Sequence, residues 1–146
     1  TIYGQDSRLA AKIKRRLGFL QVQMGSIEEG INLINASLNM LIASGLEKDI
    51  ALATTYMNLS TGYRLQKNYN EALDSIQKAV EIFYENRGEL HLDTAEAYIE
   101  YAQVFLAMND AASAKKYFKK AFDIRLNKLG EKHPDTIEVV EFLNNI

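Results

Sequence analysis

The 146-residue chain contains no cysteine, no tryptophan and a single proline, Pro134. The absence of cysteine excludes disulfides, thiolate metal sites and a cysteine nucleophile. It also fits a reducing compartment, so we expect a cytoplasmic protein. Because proline breaks helices and the chain has only one, the sequence allows long helices. The remaining composition, led by Ala, Leu, Ile, Glu, Lys and Asn, favours helices over a turn-rich β protein.

The chain also has no apolar run of about 18 residues and no charged-then-apolar leader, so neither a membrane span nor a signal peptide is predicted. We therefore expect a soluble protein with no membrane partner. Hydrophobic residues make up 47% and charged residues 25% of the chain, which is typical of a globular domain. The net charge of -2 gives no general attraction to nucleic acid.

An internal repeat of 42 residues organises the chain. Three residues of the type that starts helices, Ser26, Asn68 and Asp110, stand 42 residues apart, each just before an amphipathic stretch. A second series, of glycines, falls on multiples of the same interval: Gly4, Gly88 and Gly130. Repeats of this length indicate stacked supersecondary units, because one unit cannot bury its apolar face alone. We predict a single all-α domain, an α-solenoid of stacked antiparallel helix pairs.

Alignment at this interval divides residues 1–146 into three units of two helices each, followed by a partial or capping helix. The units are residues 7–48, 49–90 and 91–132, the capping helix lies in 133–146, and residues 1–4 are predicted to be connector. Apolar and small residues at spacings of three and four lie on one face of each predicted helix, where they can pack against other helices. First helices are predicted at about 8–24, 50–66 and 92–108, and second helices at about 27–43, 69–85 and 111–127.

The predicted helix starts carry capping boxes, in which a polar side chain and a Glu three residues later satisfy unpaired backbone N–H groups. The pairs are Ser26 with Glu29, Asn68 with Glu71, Asp93 with Glu96, and Asp135 with Glu138. His91-x-Asp93 and His133-x-Asp135 also suggest metal ligands, but the two pairs lie one repeat apart and each alone has too few ligands. We therefore interpret the histidines as packed in connectors, and we predict no metal and no cofactor.

The second unit reads Tyr56-x-x-Leu59-Ser60-x-x-Tyr63, then Ala72-x3-Ile76-x2-Ala79, and the third unit reads Tyr98-x-x-Tyr101-Ala102-x-x-Phe105, then Ala114-x3-Phe118-x2-Ala121. Both resemble the tetratricopeptide repeat pattern. The 42-residue step and the connector at 129–136 are similar to the longer kinesin light chain subtype. The first unit departs most, with Lys14, Gln21 and Gly30 at positions where this pattern usually has an aromatic residue, a tyrosine and an alanine. HEAT and armadillo arrays share the period, but the small-large-small pattern of the second helices argues against them.

The resemblance implies a right-handed superhelix whose first helices line a concave face. It also implies a non-catalytic adaptor or scaffold that binds a protein or peptide partner on that face. The sequence has no Gly-rich phosphate loop and no His-Glu-x-x-His motif, so we expect no enzyme activity. A cluster of lysines is predicted to face outward on a second helix and keep the convex surface soluble, so we expect no nucleic-acid partner. The cluster is Lys115, Lys116, Lys119 and Lys120.

The predicted partner-binding residues share the concave face of the first helices. They are Lys12, Arg15, Arg16, Phe19, Thr54, Met57, Asn58, Thr61, Arg64, Glu96, Ile99 and Gln103, with Val22, Leu106, Glu138, Glu141 and Asn145 on the same face. This set runs from basic to acidic, and Arg15 and Arg16 offer forked donors to the carboxylates of an acidic segment. Asn58 corresponds to an asparagine that, by the resemblance, grips the backbone of a bound peptide. The alternative is that charged members, like Glu96 and Glu100, are simply solvated helix faces.

Two further functions remain open from the sequence. The chain could be a regulatory or capping segment of a larger multidomain protein, with its groove holding an element of the same polypeptide. Clustered-mitochondria-type proteins carry similar repeats and would imply an RNA-linked role, although the charge pattern here does not support direct RNA binding. The chain could also self-associate through its end helices, since Phe142, Leu143 and Ile146 could dock onto a neighbour rather than cap the array.

Overall fold

The structure is a computed structural model that describes the backbone of residues 2–146 and the side chains of residues 7–146. Within that part of the chain, seven α-helices and no strand are present. The first helices of the repeats are α1 (Ile2–Gln23), α3 (Ile50–Leu65) and α5 (Leu92–Ala107), and the second helices are α2 (Ile27–Ala43), α4 (Tyr69–Arg87) and α6 (Ala111–Leu129). The last helix is α7 (Pro134–Asn144). The prediction of an all-α solenoid is confirmed.

Each helix packs against the helices before and after it in the chain, and the first helices of successive repeats lie next to one another. The pairs α1 and α2, α3 and α4, and α5 and α6 form the repeats, and α2, α4 and α6 pack in turn on α3, α5 and α7. The first helices also contact one another directly, α1 with α3 and α3 with α5. Stacking therefore places the first helices side by side on one surface.

The core lies between the two helices of each repeat and between successive repeats. At its centre are Ile34, Ile76 and Phe118, which occupy the same repeat position and have no exposed surface. The residues four before them are small, which allows the paired helices to approach closely. In the first repeat this residue is Gly30, and a Cβ atom added at Gly18 would lie 2.6 Å from the Gly30 carbonyl oxygen.

The helix starts lie at the predicted positions after each intra-repeat turn, but two of the predicted capping boxes are wrong. Ser26 and Asn68 precede α2 and α4, yet neither side chain caps its helix. Their own backbone N–H groups donate to the carbonyl oxygens of Gln21 and Tyr63, both at 2.9 Å. Because those N–H groups are already satisfied, a reciprocal Glu side chain has nothing to accept from. Asp110 does cap α6, accepting from the Ser113 backbone N–H at 3.0 Å.

The other two capping boxes, Asp93 with Glu96 and Asp135 with Glu138, are also wrong, because the histidines are the caps. Nδ1 of His91 accepts from the Asp93 N–H at 3.0 Å, and Nδ1 of His133 accepts from the Asp135 N–H at 3.1 Å. The helices begin one residue after each histidine, so each Asp lies in the first turn, where the helix dipole favours a carboxylate. Asp49, one repeat earlier, caps α3 in the same way.

The connectors explain the remaining differences from the predicted bounds. Gly88 and Gly130 have φ of 86° and 87° and end α4 and α6 two residues later than predicted. The predicted connector at residues 1–4 differs more, since α1 already includes residues 2–4, and residue 1 lies outside the described residues. Gly4 is therefore not the structural counterpart of these two glycines.

Candidate functional site

A groove runs across the surface formed by the first helices. It consists of two adjoining depressions of about 680 and 250 Å³ that share Phe19, Met57, Asn58 and Glu96. Its full lining is Arg15, Arg16, Phe19, Leu20, Gln23, Ile50, Thr54, Met57, Asn58, Thr61, Phe83, Asp93, Glu96, Ile99, Glu100, Arg125 and Glu138. We call these residues the concave groove.

The structure brings most of the predicted site residues together in this groove. Those that line it are Arg15, Arg16, Phe19, Thr54, Met57, Asn58, Thr61, Glu96 and Ile99, with Glu138 at the far end. Lys12 lines a neighbouring cavity instead, and Gln103 is half-buried on α5 outside the depressions. Val22 is wrong as an inner-face residue, since it is 2% exposed and lies against the space that a Gly30 side chain would fill.

Asn58 lies where the two depressions meet. The residue is 7% exposed, and its amide forms no hydrogen bond within residues 7–146 and is open to the solvent of the groove. The neighbouring threonines are not free in the same way, because the hydroxyls of Thr54 and Thr61 donate to the carbonyls of Ile50 and Met57 in their own helix. An Asn amide carries a donor and an acceptor on one planar group, so Asn58 can pair with both polar groups of a peptide backbone.

A buried ion pair missed in the sequence joins the second and third repeats under the groove. Nε and Nη2 of Arg64 donate to the two carboxylate oxygens of Glu100 at 3.0 and 3.1 Å, and Ser60 Oγ donates to Glu100 at 3.3 Å. Glu100 is 8% exposed, so its interpretation as a solvated helix face is wrong. The predicted site residue Arg64 is thus bound to Glu100 and does not line the groove. The signal in the sequence was a pair of opposite charges on the facing sides of two successive first helices.

The groove changes sign along its length. At the α1 end, burial lowers the pKa of the Arg15 guanidinium, and the neighbouring Arg16 lowers it further. At the other end, burial raises the pKa of the Glu96 carboxyl, with further raising by Asp93, Asp135 and Glu138 and an opposing effect of Arg125. Cations are therefore crowded at one end and carboxylates at the other, as the sequence predicted.

Arg125 was missed because it comes from a second helix. Its Nη1 donates to the Asp135 carbonyl oxygen at 2.7 Å and to Glu138 Oε2 at 3.1 Å, which places the guanidinium beside the acidic end of the groove. The corresponding residues of the first two repeats are Leu41 and Phe83, both buried. A cation at an otherwise apolar repeat position is the signal that could have identified it.

A basic cavity adjoins the groove at the α1 end. It has a volume of about 620 Å³ and lies between α1, the α2–α3 connector and the end of α4. Its charged lining is Arg8, Lys12, Arg15, Lys48, Asp49 and Arg87. The one carboxylate among these residues, on Asp49, is paired with Arg8 at 2.6 Å. Arg15 lines both the cavity and the groove, so the two are continuous.

The described residues offer no cluster of three or more His, Cys, Asp or Glu side chains that could hold a metal. Over residues 2–146, no helix combines the length and hydropathy needed to span a membrane. The geometry is thus a groove formed by the faces of stacked helices, with the amide of Asn58 at its surface.

Comparison with known proteins agrees with this architecture. The family model described as "Tetratricopeptide repeat" matches residues 9–85 and 51–127. A solved structure of BtubC (BKLC) from P. vanneervenii superposes on 95% of this chain and 56% of that chain with a TM-score of 0.87 at 22% identity. The kinesin light chain TPR-like repeats from P. anserina, described as putative, give 0.85 at 17% identity over 95% of this chain and 65% of that chain.

Curated relatives are much longer than this chain. The clustered mitochondria protein homolog of Candida albicans is 30% identical over 65% of this chain and 7% of its own length, and the human homolog is 28% identical over 81% and 9%. The Arabidopsis thaliana protein kinesin light chain-related 1 is 27% identical over 76% of this chain and 18% of its own length.

The chain is thus a helical-repeat protein whose stacked first helices present a groove. It belongs to the tetratricopeptide repeat family, and its repeats are of the kinesin light chain-like type. This identifies it as a protein-interaction repeat module. Such a fold is generally a non-catalytic scaffold.

Proposed function

We propose that this chain is an adaptor module whose concave groove holds an extended segment of a protein partner. The observation that carries the proposal is Asn58, whose amide lines the groove and has no hydrogen-bond partner within residues 7–146. The amide is open to the solvent of the groove, and a peptide backbone would satisfy both of its polar groups. The same amide would fix the segment in register across α3.

Apolar side chains beside Asn58 supply anchoring. Phe19 comes from α1, Met57 from α3 and Ile99 from α5, so three repeats contribute to one surface around the amide. Apolar and aromatic residues of a bound segment gain most where they enter such central, desolvated positions. The adaptable Met57 side chain suits a segment whose apolar residues vary.

The charge at the α1 end favours an acidic segment. Arg15 and Arg16 line the groove, and Lys12, Lys48 and Arg87 extend the basic surface into the adjoining cavity. Forked guanidinium groups bind carboxylates through paired hydrogen bonds. A segment with Asp or Glu at one end and apolar residues over α3 and α5 matches both features.

A second function is supported by the length of the relatives. Because this chain spans 7–18% of those curated proteins, the groove of such a repeat segment could hold an element of the same polypeptide and act as a regulatory switch. The chemistry of recognition would be the same, and only the covalent connection of the segment would differ.

The proposal is tested by fluorescence polarisation with a short labelled peptide that carries Glu residues next to a Trp. We expect micromolar binding that weakens with salt, since exposed charges are screened over about 8 Å at physiological ionic strength. Asn58→Ala and the double variant Arg15→Glu/Arg16→Glu should each weaken binding by about tenfold or more. Lys115→Glu/Lys116→Glu, an equal charge change on the exposed side of α6, is the matched control. Equal effects of the groove and control variants would overturn the proposal.

A further inference from the structure

A cavity lies between α2 and α4, over α3, and shares no lining residue with the concave groove. Its volume of about 410 Å³ is within the range of pockets that hold ligands. Residues from all three helices line it, among them Leu38, Tyr56, Leu59, Tyr63, Ser75 and Lys78. We call this cavity the α2–α4 pocket.

The third repeat shows what fills the same space one unit later. The residue 42 positions after Ser75 is Tyr117, and its ring packs against three residues of α5. The ring centre of Tyr117 lies 5.9 Å from that of Tyr98, 4.3 Å from that of Tyr101 and 5.7 Å from that of Phe105. The counterparts of these three residues on α3 are the pocket residues Tyr56, Leu59 and Tyr63.

Ser75 leaves this space open because its side chain is short. The residue is 5% exposed, so it lies at the base of the pocket and not at the rim. The first repeat has Leu33 at the same position, so the second repeat alone has a residue this small there. The α2–α4 pocket is therefore the place of an aromatic ring that the second repeat does not itself supply.

A lysine at the pocket is placed to meet such a ring. Nζ of Lys78 lies 5.4 Å from the centre of the Tyr56 ring. Its counterpart in the third repeat, Lys120, lies 5.4 Å from the Tyr98 ring and 5.8 Å from the Tyr117 ring. Within residues 7–146, Lys120 thus contacts two rings and Lys78 contacts one. A ring bound in the pocket would give Lys78 its second cation–π contact.

Carboxylates at the rim define the residues that flank this ring. Glu71 and Asp74 line the pocket, where the third repeat has Ser113 and Lys116. Asp74 is paired with Lys78 at 2.8 Å, whereas Glu71 forms no ion pair within residues 7–146. A cation next to the bound ring would therefore be attracted to Glu71.

A second depression continues this acidic rim. It has a volume of about 250 Å³ and adjoins the pocket at Tyr56 and Lys78, which line both. It adds the carboxylates of Glu47 and Glu81 beside the apolar Ile42. A basic segment that leaves the pocket on this side meets acidic side chains again.

A second copy of the chain does not supply a matching residue. Over residues 7–146, the most exposed aromatic side chain is that of Tyr84, at 52%. By helical periodicity, Glu81 and Glu85 lie beside it on α4. Their carboxylates would be repelled by Glu71, so the charge at the rim favours another protein.

We infer that the α2–α4 pocket binds a Phe or Tyr side chain of a partner protein, flanked by Lys or Arg. The ring would lie against Tyr56, Leu59 and Tyr63, as Tyr117 lies against their counterparts in the third repeat. The pocket is separate from the concave groove, and the inference does not require that the groove bind a peptide.

The experiment uses a short peptide in which para-fluorophenylalanine stands between two lysines, observed by fluorine NMR as the full chain is added. The signal reports on the ring of the peptide alone, since the chain contains no fluorine. We expect it to shift and broaden as the ring stacks in the pocket. The same peptide with glutamates in place of the lysines should bind at least about tenfold more weakly.

Ser75→Tyr tests the position of the ring. It places in the pocket the side chain that the third repeat has there, so binding should fall by about tenfold or more. Ser75→Ala keeps the space open and should leave binding unchanged. Asn58→Ala, in the concave groove, should also have no effect. Urea unfolding should show Ser75→Tyr to be at least as stable as the wild type, because the new ring stacks on Tyr56 and Tyr63.

Glu71→Lys tests the charge at the rim without filling the pocket. It should weaken binding of the lysine-flanked peptide by about tenfold, since an attraction becomes a repulsion. Glu29→Lys is the matched control, because Glu29 is exposed at the same repeat position of α2 and does not line the pocket. This arm decides the question if Ser75→Tyr does not fold.

The inference is overturned if the lysine-flanked peptide does not bind, or if the glutamate-flanked peptide binds equally well. It is also overturned if binding survives Glu71→Lys or a folded Ser75→Tyr variant. Sedimentation of the wild type gives a further test. A dimer that disappears in Ser75→Tyr would assign the pocket to a second copy and would overturn the inference as well.

Discussion

The first and third repeats use the same helix pair but fill the space between the helices differently. In the first repeat, Gly18 and Gly30 remove side chains from the crossing of α1 and α2, so the two backbones come into contact. In the third repeat, the corresponding residues Ala102 and Ala114 keep a Cβ at that crossing. The comparison shows that the 42-residue period preserves positions, whereas the side chains at the crossing differ between the repeats.

The third repeat also differs from the first in its aromatic packing. Beside its crossing, the third repeat stacks Tyr101 on Tyr117 with ring centres 4.3 Å apart, and Tyr101 on Phe105 at 5.1 Å. Phe118 stacks on Phe142 of α7 at 5.1 Å and thereby fastens the last helix. Such pairs stabilise beyond the area that they bury. The third repeat thus holds its neighbour through large side chains, and the first repeat holds its own two helices through close backbone contact.

Removing the central aromatic residue should have the largest effect. Phe118→Ala is expected to lower the free energy of unfolding by about 4 kcal/mol, since it empties a completely buried site and loses the contact with Phe142. Ile34→Ala, at the same position of the first repeat, should cost about 3 kcal/mol. Urea unfolding followed by circular dichroism measures both. A smaller cost for Phe118→Ala than for Ile34→Ala would contradict the proposed difference between the repeats.

The second-largest loss of stability is expected when the ion pair between Arg64 and Glu100 is broken, because this pair joins the third repeat to the second. Arg64→Met is expected to cost about 3 kcal/mol, since it leaves the buried Glu100 carboxylate with only the Ser60 hydroxyl. Arg64→Met/Glu100→Met should recover most of that loss, as replacement of a buried pair by apolar residues often does.

Lys78→Met, which removes the exposed pair between Lys78 and Asp74, is the control for this prediction. It should cost less than about 1 kcal/mol in the same urea experiment. Equal losses for Arg64→Met and Lys78→Met would show that burial of Glu100 does not strengthen the joint between the repeats.

The sequence predicted the bounds of α2 to α6 to within about two residues, because apolar spacing, small residues and turn residues all recur at one interval. It predicted the cap at Asp110 but not the other caps, since those depend on the conformation of the turn before each helix. The N–H of Ser26 is satisfied by the Gln21 carbonyl across a tight turn, which the local pattern does not show. His91 is the cap because α5 begins at Leu92, so that Asp93 already lies in the first turn.

The candidate site could be predicted only as far as single helices define it. The positions of Phe19, Met57 and Ile99 follow from helical periodicity. The burial of Val22 depends instead on glycines of neighbouring helices, which leave space for it. Arg125 reaches the groove from α6, so only the packing of two helices reveals its position.

A smaller effect is expected from restoring a side chain at the close crossing of the first repeat. Gly18→Ala should destabilise the protein by about 2 kcal/mol, because the new Cβ would lie 2.6 Å from a carbonyl oxygen that cannot move away alone. In an open helix the same change stabilises by up to about 1 kcal/mol, so the sign of the effect is informative.

The reverse substitution in the third repeat, Ala102→Gly, is the counterpart of this prediction. It should cost only about 1 kcal/mol, from helix propensity and a small loss of packing. Both variants are compared by urea unfolding. A stabilising Gly18→Ala would mean that α1 and α2 separate at little cost, and the contrast between the two crossings would be lost.

The smallest expected effect comes from Glu96, at the acidic end of the groove. The Glu96 pKa is raised above its ordinary 4.5, chiefly by burial, so the folded state binds this proton more tightly than the unfolded state. Stability from this group is therefore fully present below pH 4.5 and is lost as the pH rises through the folded pKa. Glu96→Gln should then stabilise the protein at pH 7 by a few tenths of a kcal/mol, because the side chain is partly exposed, and by nothing at pH 4. Equal urea midpoint shifts at both pH values would mean that folding does not raise the pKa of Glu96.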